Sequence, residues 1–407
     1  MKILVLNAGS SSEKSSLYNI GDAVPPDPPD PLWDAEIEWT DDGAEDKLTV
    51  RTSDGLETTE TRQPGSRPDG IAQMLGTMWE GRHAVIDGLA EIDVVGHRVV
   101  HGGREFTESV RVTPEVKAAI GQLSALAPAH NPANLEGIET VEELLGGVPQ
   151  VAVFDTAFHS HLPDEAAIYP IPWEYSEKGI RRYGFHGISH QYCAHRAAHL
   201  LGRDLTSLRI ITCHLGNGCS LAAIREGRSV DTTMGFTPME GLMMGSRSGS
   251  VDPGVLLNLM REKGLTSDEL DHILNQSSGL FGVSGVSSDM REVIAAADGG
   301  DVRAKLAIDM FVHSLRRHIG AMLASLDGLD ALVFTGGIGE HATVIRARAC
   351  ETFRFQGIEL DVQENESSPI DGDISATDSE ARVLVIQSRE NWAIACECRQ
   401  IVQTAQD

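Results

Sequence analysis

A chain of 407 residues is longer than one hydrophobic core usually organises, so two domains of α/β character are expected, and its 41% hydrophobic content suits an ordinary globular protein. The 33 Lys and Arg against 60 Asp and Glu leave a formal charge of −27, which excludes nucleic acid and anionic membranes as partners and requires any phosphate or carboxylate site to be locally basic or rich in backbone N–H groups. No apolar run approaches the roughly 18 residues of a membrane span, Ile3 to Leu6 is too short for a signal-peptide core, and the six cysteines form no C-x-x-C pair; a soluble cytoplasmic protein with reduced thiols is expected.

The N-terminus, Lys2-Ile3-Leu4-Val5-Leu6 followed by Asn7-Ala8-Gly9-Ser10-Ser11-Ser12, reads as a buried strand entering a small polar turn. Next, Pro25-Pro26-Asp27-Pro28-Pro29-Asp30-Pro31 cannot supply N–H groups to a sheet and reads as a surface loop. Thr40 to Arg67, acidic and interrupted by Gly43 and Gly55, fits exposed hairpins. Thr113 as N-cap, Pro114 behind it and Val116, Ile120 and Leu123 on one face predict a helix reaching towards Pro128, and another runs from Asn131-Pro132 to Gly146-Gly147. A strand over Val151 to Phe154 delivers Asp155 at its end, and the domain boundary is placed there. The first domain is then 1–154 plus a C-terminal helix over 392–407, and the second is 155–391.

Beyond the boundary, His186 and His190, and His195 and His199, are each four apart and could share helical faces, but nothing supplies a convincing third zinc ligand. His159-Ser160-His161 is a weaker metal signal. The strand-to-turn pattern returns twice: Arg209 to His214 leads into Gly216-Asn217-Gly218-Cys219-Ser220, and Ala331 to Phe334 leads into Thr335-Gly336-Gly337-Ile338-Gly339-Glu340. Three such turns suggest a duplicated α/β architecture whose strand ends converge on one ligand. A triphosphate needs many N–H donors at close range, and glycine lets the backbone approach it. Asn7, Ser10 and Ser12 would add side-chain donors and Lys14 a cation within the same turn. No G-x-x-x-x-G-K-[ST] sequence is present, which disfavours a P-loop NTPase.

On these residues, and on Gly96 to Gly103, His130-Asn131-Pro132, Phe154-Asp155-Thr156-Ala157-Phe158-His159, Tyr183 to Gly187, the block His214 to Pro253 and Phe334 to Glu340, the chain resembles the acetate kinase family over nearly its whole length. The resemblance implies two duplicated actin-like (ribonuclease H-like) α/β domains with an active-site cleft between them, closing over substrates, in a homodimer. It implies reversible transfer of the γ-phosphate of ATP to acetate with Mg²⁺, for which Mn²⁺ can substitute. The rival readings are propionate or butyrate kinase, and, from a different class, a catalytically idle nucleotide-binding relative. The idle relative should lack Arg98, Arg247, Asp155, His186 or Glu390, and all five are present.

Carried over position by position, the resemblance assigns Arg98 and Arg247 to clamping acetate and the migrating phosphoryl group, a task that suits a planar guanidinium fork. His186 would donate to the equatorial oxygens of that group, and His214 to the phosphates. Asn7, Asp155 and Glu390 match the metal positions, directly or through water. A carboxylate nucleophile has no proton to lose, so Asp155 serves metal and positioning and no general base is required.

Val100, Phe185 and Pro238 resemble the pocket for the acetate methyl, joined by Ala129 where the family usually has Leu, a loss of bulk that favours acceptance of propionate. The nucleotide side comprises Ser10, Ser12, Lys14, His214, Asn217, Gly218, Asp289, Met290, Arg291, Gly337, Ile338 and His341. His341 replaces the usual Asn and leaves ATP against GTP open. Glu13 stands where an apolar residue is usual, and Ser388-Arg389-Glu390-Asn391 where Thr-Asn-Glu-Glu is usual.

Overall fold

The computed structural model describes residues 1–9, 12–39, 45–63, 65–128 and 130–404. The chain divides into two compact units, 1–157 with 389–407 and 158–388.

The first unit is built on an eight-stranded sheet. Its strands are β1 (Lys2–Ala8), β2 (Ser12–Asn19), β3 (Trp33–Glu38), β4 (Asp46–Thr52), β5 (Glu57–Arg62), β6 (Val94–Val99), β7 (Val110–Arg111) and β8 (Gln150–Phe154), in the order β5-β4-β3-β2-β1-β6-β8-β7. β1, β6 and β8 are parallel, and the β1-to-β5 arm is antiparallel throughout. Ile3, Leu4, Val5 and Leu6 are buried, as a central strand covered on both faces demands. On one face Leu4, Leu6, Leu17, Trp33 and Val95 pack with Ile71, Met74 and Val141 from the helices Arg67–Gly76 and Asn131–Leu145. The other face is covered by the C-terminal helix Glu390–Thr404, which contacts β1 and β6. Gly96 makes this contact close: a Cβ there would overlap Cys398 Sγ and Ile394 Cγ2.

Local chemistry explains the elements. Thr113 Oγ1 accepts from Val116 N–H at 3.3 Å and caps the helix Pro114–Leu123, which stops short of Pro128. The second helix closes at Gly146 with φ 62°. β4 and β5 form the expected hairpin around Gly55, but only β5 is exposed, since Leu48 and Val50 of β4 are buried in the core, and Gly43 lies outside the described residues.

The second unit holds a six-stranded sheet of β9 (Arg209–Leu215), β10 (Cys219–Arg225), β11 (Arg228–Thr232), β12 (Ala331–Thr335), β13 (Gly372–Asp373) and β14 (Arg382–Val385), in the order β11-β10-β9-β12-β14-β13. β9, β12 and β14 are parallel and the outer pairs antiparallel. Three antiparallel strands followed by two parallel ones, the first strand of each unit in the middle, are thus common to β3-β2-β1-β6-β8 and β11-β10-β9-β12-β14. This repeated topology is the duplicated actin-like α/β fold. The helix Gly187–Leu201 covers one face through Cys193, Ala194 and Ala197, and the long helix Val302–Leu326 contacts β9, β10 and β11. Among the described residues no helix is long and apolar enough to cross a membrane, and all six cysteines are free thiols.

Candidate active site

In the first unit, polar groups gather where the parallel strands β1, β6 and β8 end. Asn7, near the end of β1, donates through Nδ2 to Glu390 Oε2 and Asn391 Oδ1, both at 3.1 Å. Glu390 opens the C-terminal helix, so the helix-to-β6 contact at Gly96 sets how near its carboxylate comes. Asn391 in turn donates to Ser16 Oγ at 2.7 Å. On β6, Arg98 Nη2 donates to Asp155 Oδ2 at 2.7 Å. Asp155 is 1% exposed and extends the β8 ladder through its N–H to Val99 O. Burial opposes the charge on Arg98, but the carboxylates of Asp155 and Glu390 outweigh it and hold the guanidinium above its ordinary range. Its Nε has no hydrogen-bond partner among the described residues, which leaves a donor edge available to an anion.

The loop after β6 is pinned by side chains of a neighbouring helix. Asn134 Oδ1 accepts from Val100 N–H at 3.0 Å and Asn131 Oδ1 from His101 N–H at 3.1 Å, while Thr156 Oγ1 accepts from Gly102 N–H at 3.0 Å. Val100 is thereby held buried. Asn7, Asp155 and Glu390 offer the hard oxygens a divalent ion needs. Among the described residues no cluster of three or more His, Cys, Asp or Glu could hold a metal unaided, so an ion here would complete its shell with water and substrate oxygens, as Mg²⁺ commonly does.

The second strand begins earlier than the sequence suggests. Gly9 N–H donates to Ser12 O at 2.8 Å and β2 already begins at Ser12, so Lys14 is a strand residue paired with Asn7 rather than part of the turn. The pairing puts it on the same face as Asn7, with its ammonium 3.5 Å from Glu36. Ser10 and Ala129 lie outside the described residues.

In the second unit, His186 adopts a left-handed backbone, φ 56°, immediately before the helix Gly187–Leu201. This conformation is uncommon for a residue with a side chain and recurs at functional sites. Its Nδ1 lies 2.8 Å from Ser220 Oγ, and its ring stacks on that of His214 with centroids 4.2 Å apart. His214, on β9, places Nδ1 2.8 Å from Ser189 Oγ. Arg247 Nη1 donates to Pro238 O at 3.2 Å, which ties Pro238 to the guanidinium, and Phe185 is 2% exposed.

His186 and Arg247 meet over Gly218. A Cβ on that residue would stand 3.3 Å from His186 Cε1, 3.4 Å from His186 Nε2 and 3.5 Å from Arg247 Nη1. The glycine therefore leaves one atom-sized space between an imidazole nitrogen and a guanidinium nitrogen, a position suited to an oxygen of an anion.

The same unit contains a cavity of about 730 Å³. Seven residues expected to contact nucleotide line it: Asn217, Asp289, Met290, Arg291, Gly337, Ile338 and His341. Met290, Ile294, Ile338 and Ala342 give it apolar walls suited to a flat base, while Arg291 and Asp289, paired with each other, supply polar groups. His214 and Gly218 do not line this cavity; Ser12 and Lys14 belong to the first unit.

One contributor carries no sequence signal. Arg346, fully buried, donates to the carbonyls of Gly339 and Glu340 and to Asn365 and Ser368, and so fixes the short helix Gly336–His341 that bears Ile338 and His341, where the sequence predicts a turn. Burial lowers its pKa to about 10. His190, which by spacing could share a helical face with His186, is buried against Thr212 and Ser220, and His186 precedes the helix.

Comparison with known proteins identifies the relatives of the chain. Residues 2–396 match the family model described as the acetokinase family. The chain is 61% identical over 402 residues to the acetate kinase of Gloeobacter violaceus, covering 98% of this chain and 99% of that protein. It is 60% identical over 399 residues to the acetate kinase of Trichormus variabilis, covering 98% of each. Among solved structures, the acetate kinase of Porphyromonas gingivalis matches with a TM-score of 0.91 at 41% identity, over 98% of this chain and 99% of that one. A propionate kinase from Francisella tularensis matches with a TM-score of 0.89 at 38% identity and the same coverage.

Proposed function

The chain belongs to the acetokinase family, and on that premise we propose that it passes the γ-phosphoryl group of ATP directly, in line and reversibly, to a carboxylate oxygen of acetate, giving acetyl phosphate and ADP. The observation that carries the reading is the space over Gly218, flanked by His186 Nε2 and Arg247 Nη1. Phosphoryl transfer leaves little covalent work for a protein; it requires neutralised charge and aligned reactants.

Arg247 and Arg98 serve as the cationic forks, one on the migrating group and one on the acetate carboxylate. His186 donates to an equatorial oxygen, and His214 stacks behind it as a further phosphate-side donor. Asn7, Asp155 and Glu390 hold Mg²⁺, with Mn²⁺ as a substitute, directly or through water; when bound, the ion neutralises phosphate oxygens of the nucleotide. Asp155 also orients Arg98. Val100, Phe185, Pro238 and Ala129 take the acetate methyl. The cavity lined by Met290, Ile338 and His341 takes the adenosine, and Ser10, Ser12, Lys14, Asn217 and Gly218 serve the phosphates.

A hydroxamate assay for acyl phosphate tests this with purified protein, ATP, Mg²⁺ and, separately, acetate, propionate and butyrate. Acetate should give product. No acyl phosphate from any of the three would end the proposal, and phosphorylation of a sugar under the same conditions would redirect it. Propionate kinase is the second reading, favoured by Ala129, since one methylene is worth only about 1–3 kcal/mol of discrimination.

A cytoplasmic location accords with the six free thiols, five of them buried. We also propose a homodimer. The helix Pro253–Lys263 has no buried residue and exposes Val255, Leu257 and Met260 around its circumference, apolar surface that a second copy would cover in part. Light scattering on a sizing column would return the mass of a monomer if that is wrong.

A further inference from the structure

His186 can donate to a phosphoryl oxygen only if its Nε2 carries hydrogen, and a neutral imidazole carries one hydrogen on either nitrogen. The surroundings of the ring decide which. Behind His186 runs a chain of hydrogen bonds: Thr212 Oγ1 lies 2.6 Å from His190 Nδ1, His190 Nε2 lies 2.7 Å from Ser220 Oγ, and Ser220 Oγ lies 2.8 Å from His186 Nδ1. Thr212, His190 and Ser220 are each fully buried.

The far end of the chain sets its direction. The Thr212 hydroxyl has His190 Nδ1 as its one hydrogen-bond partner among the described residues. Were it to accept from that nitrogen, its own proton would be buried without an acceptor, a full desolvation cost with no return. Thr212 therefore donates and His190 Nδ1 accepts. The same reasoning disfavours a doubly protonated His190, which would also have to donate to Thr212. His190 then carries its hydrogen on Nε2 and donates to Ser220 Oγ. Ser220, with its oxygen so engaged, turns its proton to His186 Nδ1. A neutral His186 is left with hydrogen on Nε2, the nitrogen that faces Gly218 and Arg247.

We propose that Thr212, His190 and Ser220 form a directional relay of positioning residues that holds His186 as an Nε2–H donor aimed at the transferring phosphoryl group. The inference rests on the role of His186 proposed above. None of the three need touch substrate; they act through the tautomer and orientation of one ring, as outer partners of functional histidines commonly do.

Thr212→Val keeps the shape of the side chain and removes the hydroxyl, Thr212→Ser restores it, and Ser220→Ala breaks the chain beside His186. In full-length protein with ¹⁵N-labelled histidine, two-bond ¹⁵N–¹H spectra report which ring nitrogen is protonated, and His186→Gln identifies the resonances. The relay predicts a protonated Nε2 and bare Nδ1 for His186 in the parent. In Thr212→Val and Ser220→Ala it predicts a tautomer mixture and a kcat lower by roughly 10- to 100-fold, with little change in KM for acetate or ATP. Thr212→Ser should recover both signals. A parent His186 protonated on Nδ1, or two hydroxyl deletions that keep parental spectra and kcat, would overturn it. If Thr212→Val does not fold, Ser220→Ala decides by the same readouts. A parent protein that makes no acyl phosphate defeats the proposed function, while the spectra still judge the relay.

Discussion

Gly218→Ala is the most informative single substitution. Gly218 does not have a left-handed φ, so alanine is compatible with the backbone. The added methyl carbon would lie 3.3–3.5 Å from atoms of His186 and Arg247, which need yield only a few tenths of an ångström. Folding stability should change by less than about 1 kcal/mol. Activity should respond differently. An oxygen accepting from both groups must sit about 2.7–3.1 Å from each, in the space the methyl group would fill. Losing one preorganised donor of this type costs about 10²–10³ in kcat, or roughly 3–4 kcal/mol at about 1.4 kcal/mol per decade. Since the methyl screens two donors, that range is the smallest loss expected. The assay is acyl phosphate formation trapped with hydroxylamine, alongside thermal unfolding. A variant with parental melting temperature and kcat within about threefold of the parent would show that the phosphoryl group does not pass over Gly218.

Three further outcomes follow from buried groups. Glu13 is fully buried on β2, neither carboxylate oxygen has a hydrogen-bond partner among the described residues, and burial, partly offset by Arg67 at 3.8 Å, raises its pKa from 4.5 to about 8. The folded state then holds a proton that the unfolded state releases, so stability is full below about pH 4.5 and falls as pH rises towards 8, by at most about 1.4 kcal/mol per pH unit; Glu13→Gln should flatten this slope in urea titrations. Gly96→Ala would press on Ile394 and Cys398, cost about 1–3 kcal/mol by overpacking, and raise the Mg²⁺ concentration needed for half-maximal rate by shifting Glu390. Asp155→Asn removes the charge paired with Arg98, whose side chain is 14% exposed. The loss in denaturant unfolding should lie at the low end of the about 3–5 kcal/mol typical of broken buried pairs, because Glu390 still faces the guanidinium.

What the sequence made legible was local. Thr113 with Pro114, and Gly146 after an apolar face, announce helix ends through interactions within a few residues, and those ends appear where the chemistry puts them. The strands entering Gly/Ser turns were equally readable, because burial on both faces demands an unbroken apolar run. The start of β2 was not, since Gly9 and Ser12 meet through backbone atoms that no side-chain pattern reports. Arg98, Asp155, His186 and Arg247 lie far apart in the chain and were identified by resemblance to a family rather than by spacing. The relay was invisible for a related reason: Thr212 and Ser220 are single hydroxyls on neighbouring strands, paired by the sheet register that sets Thr212 against Ala222 and Ser220 against His214. Arg346 escaped notice because its partners are mostly carbonyl oxygens, which every residue possesses.

The central claim is that acetate takes the phosphoryl group from ATP in one step, between cationic and imidazole donors that only hold it. ATP made chiral at the γ-phosphorus with three oxygen isotopes tests this directly, by the configuration of the acetyl phosphate formed. A single in-line displacement predicts inversion at phosphorus. Retention would require two displacements through a phosphorylated side chain, and would contradict the account.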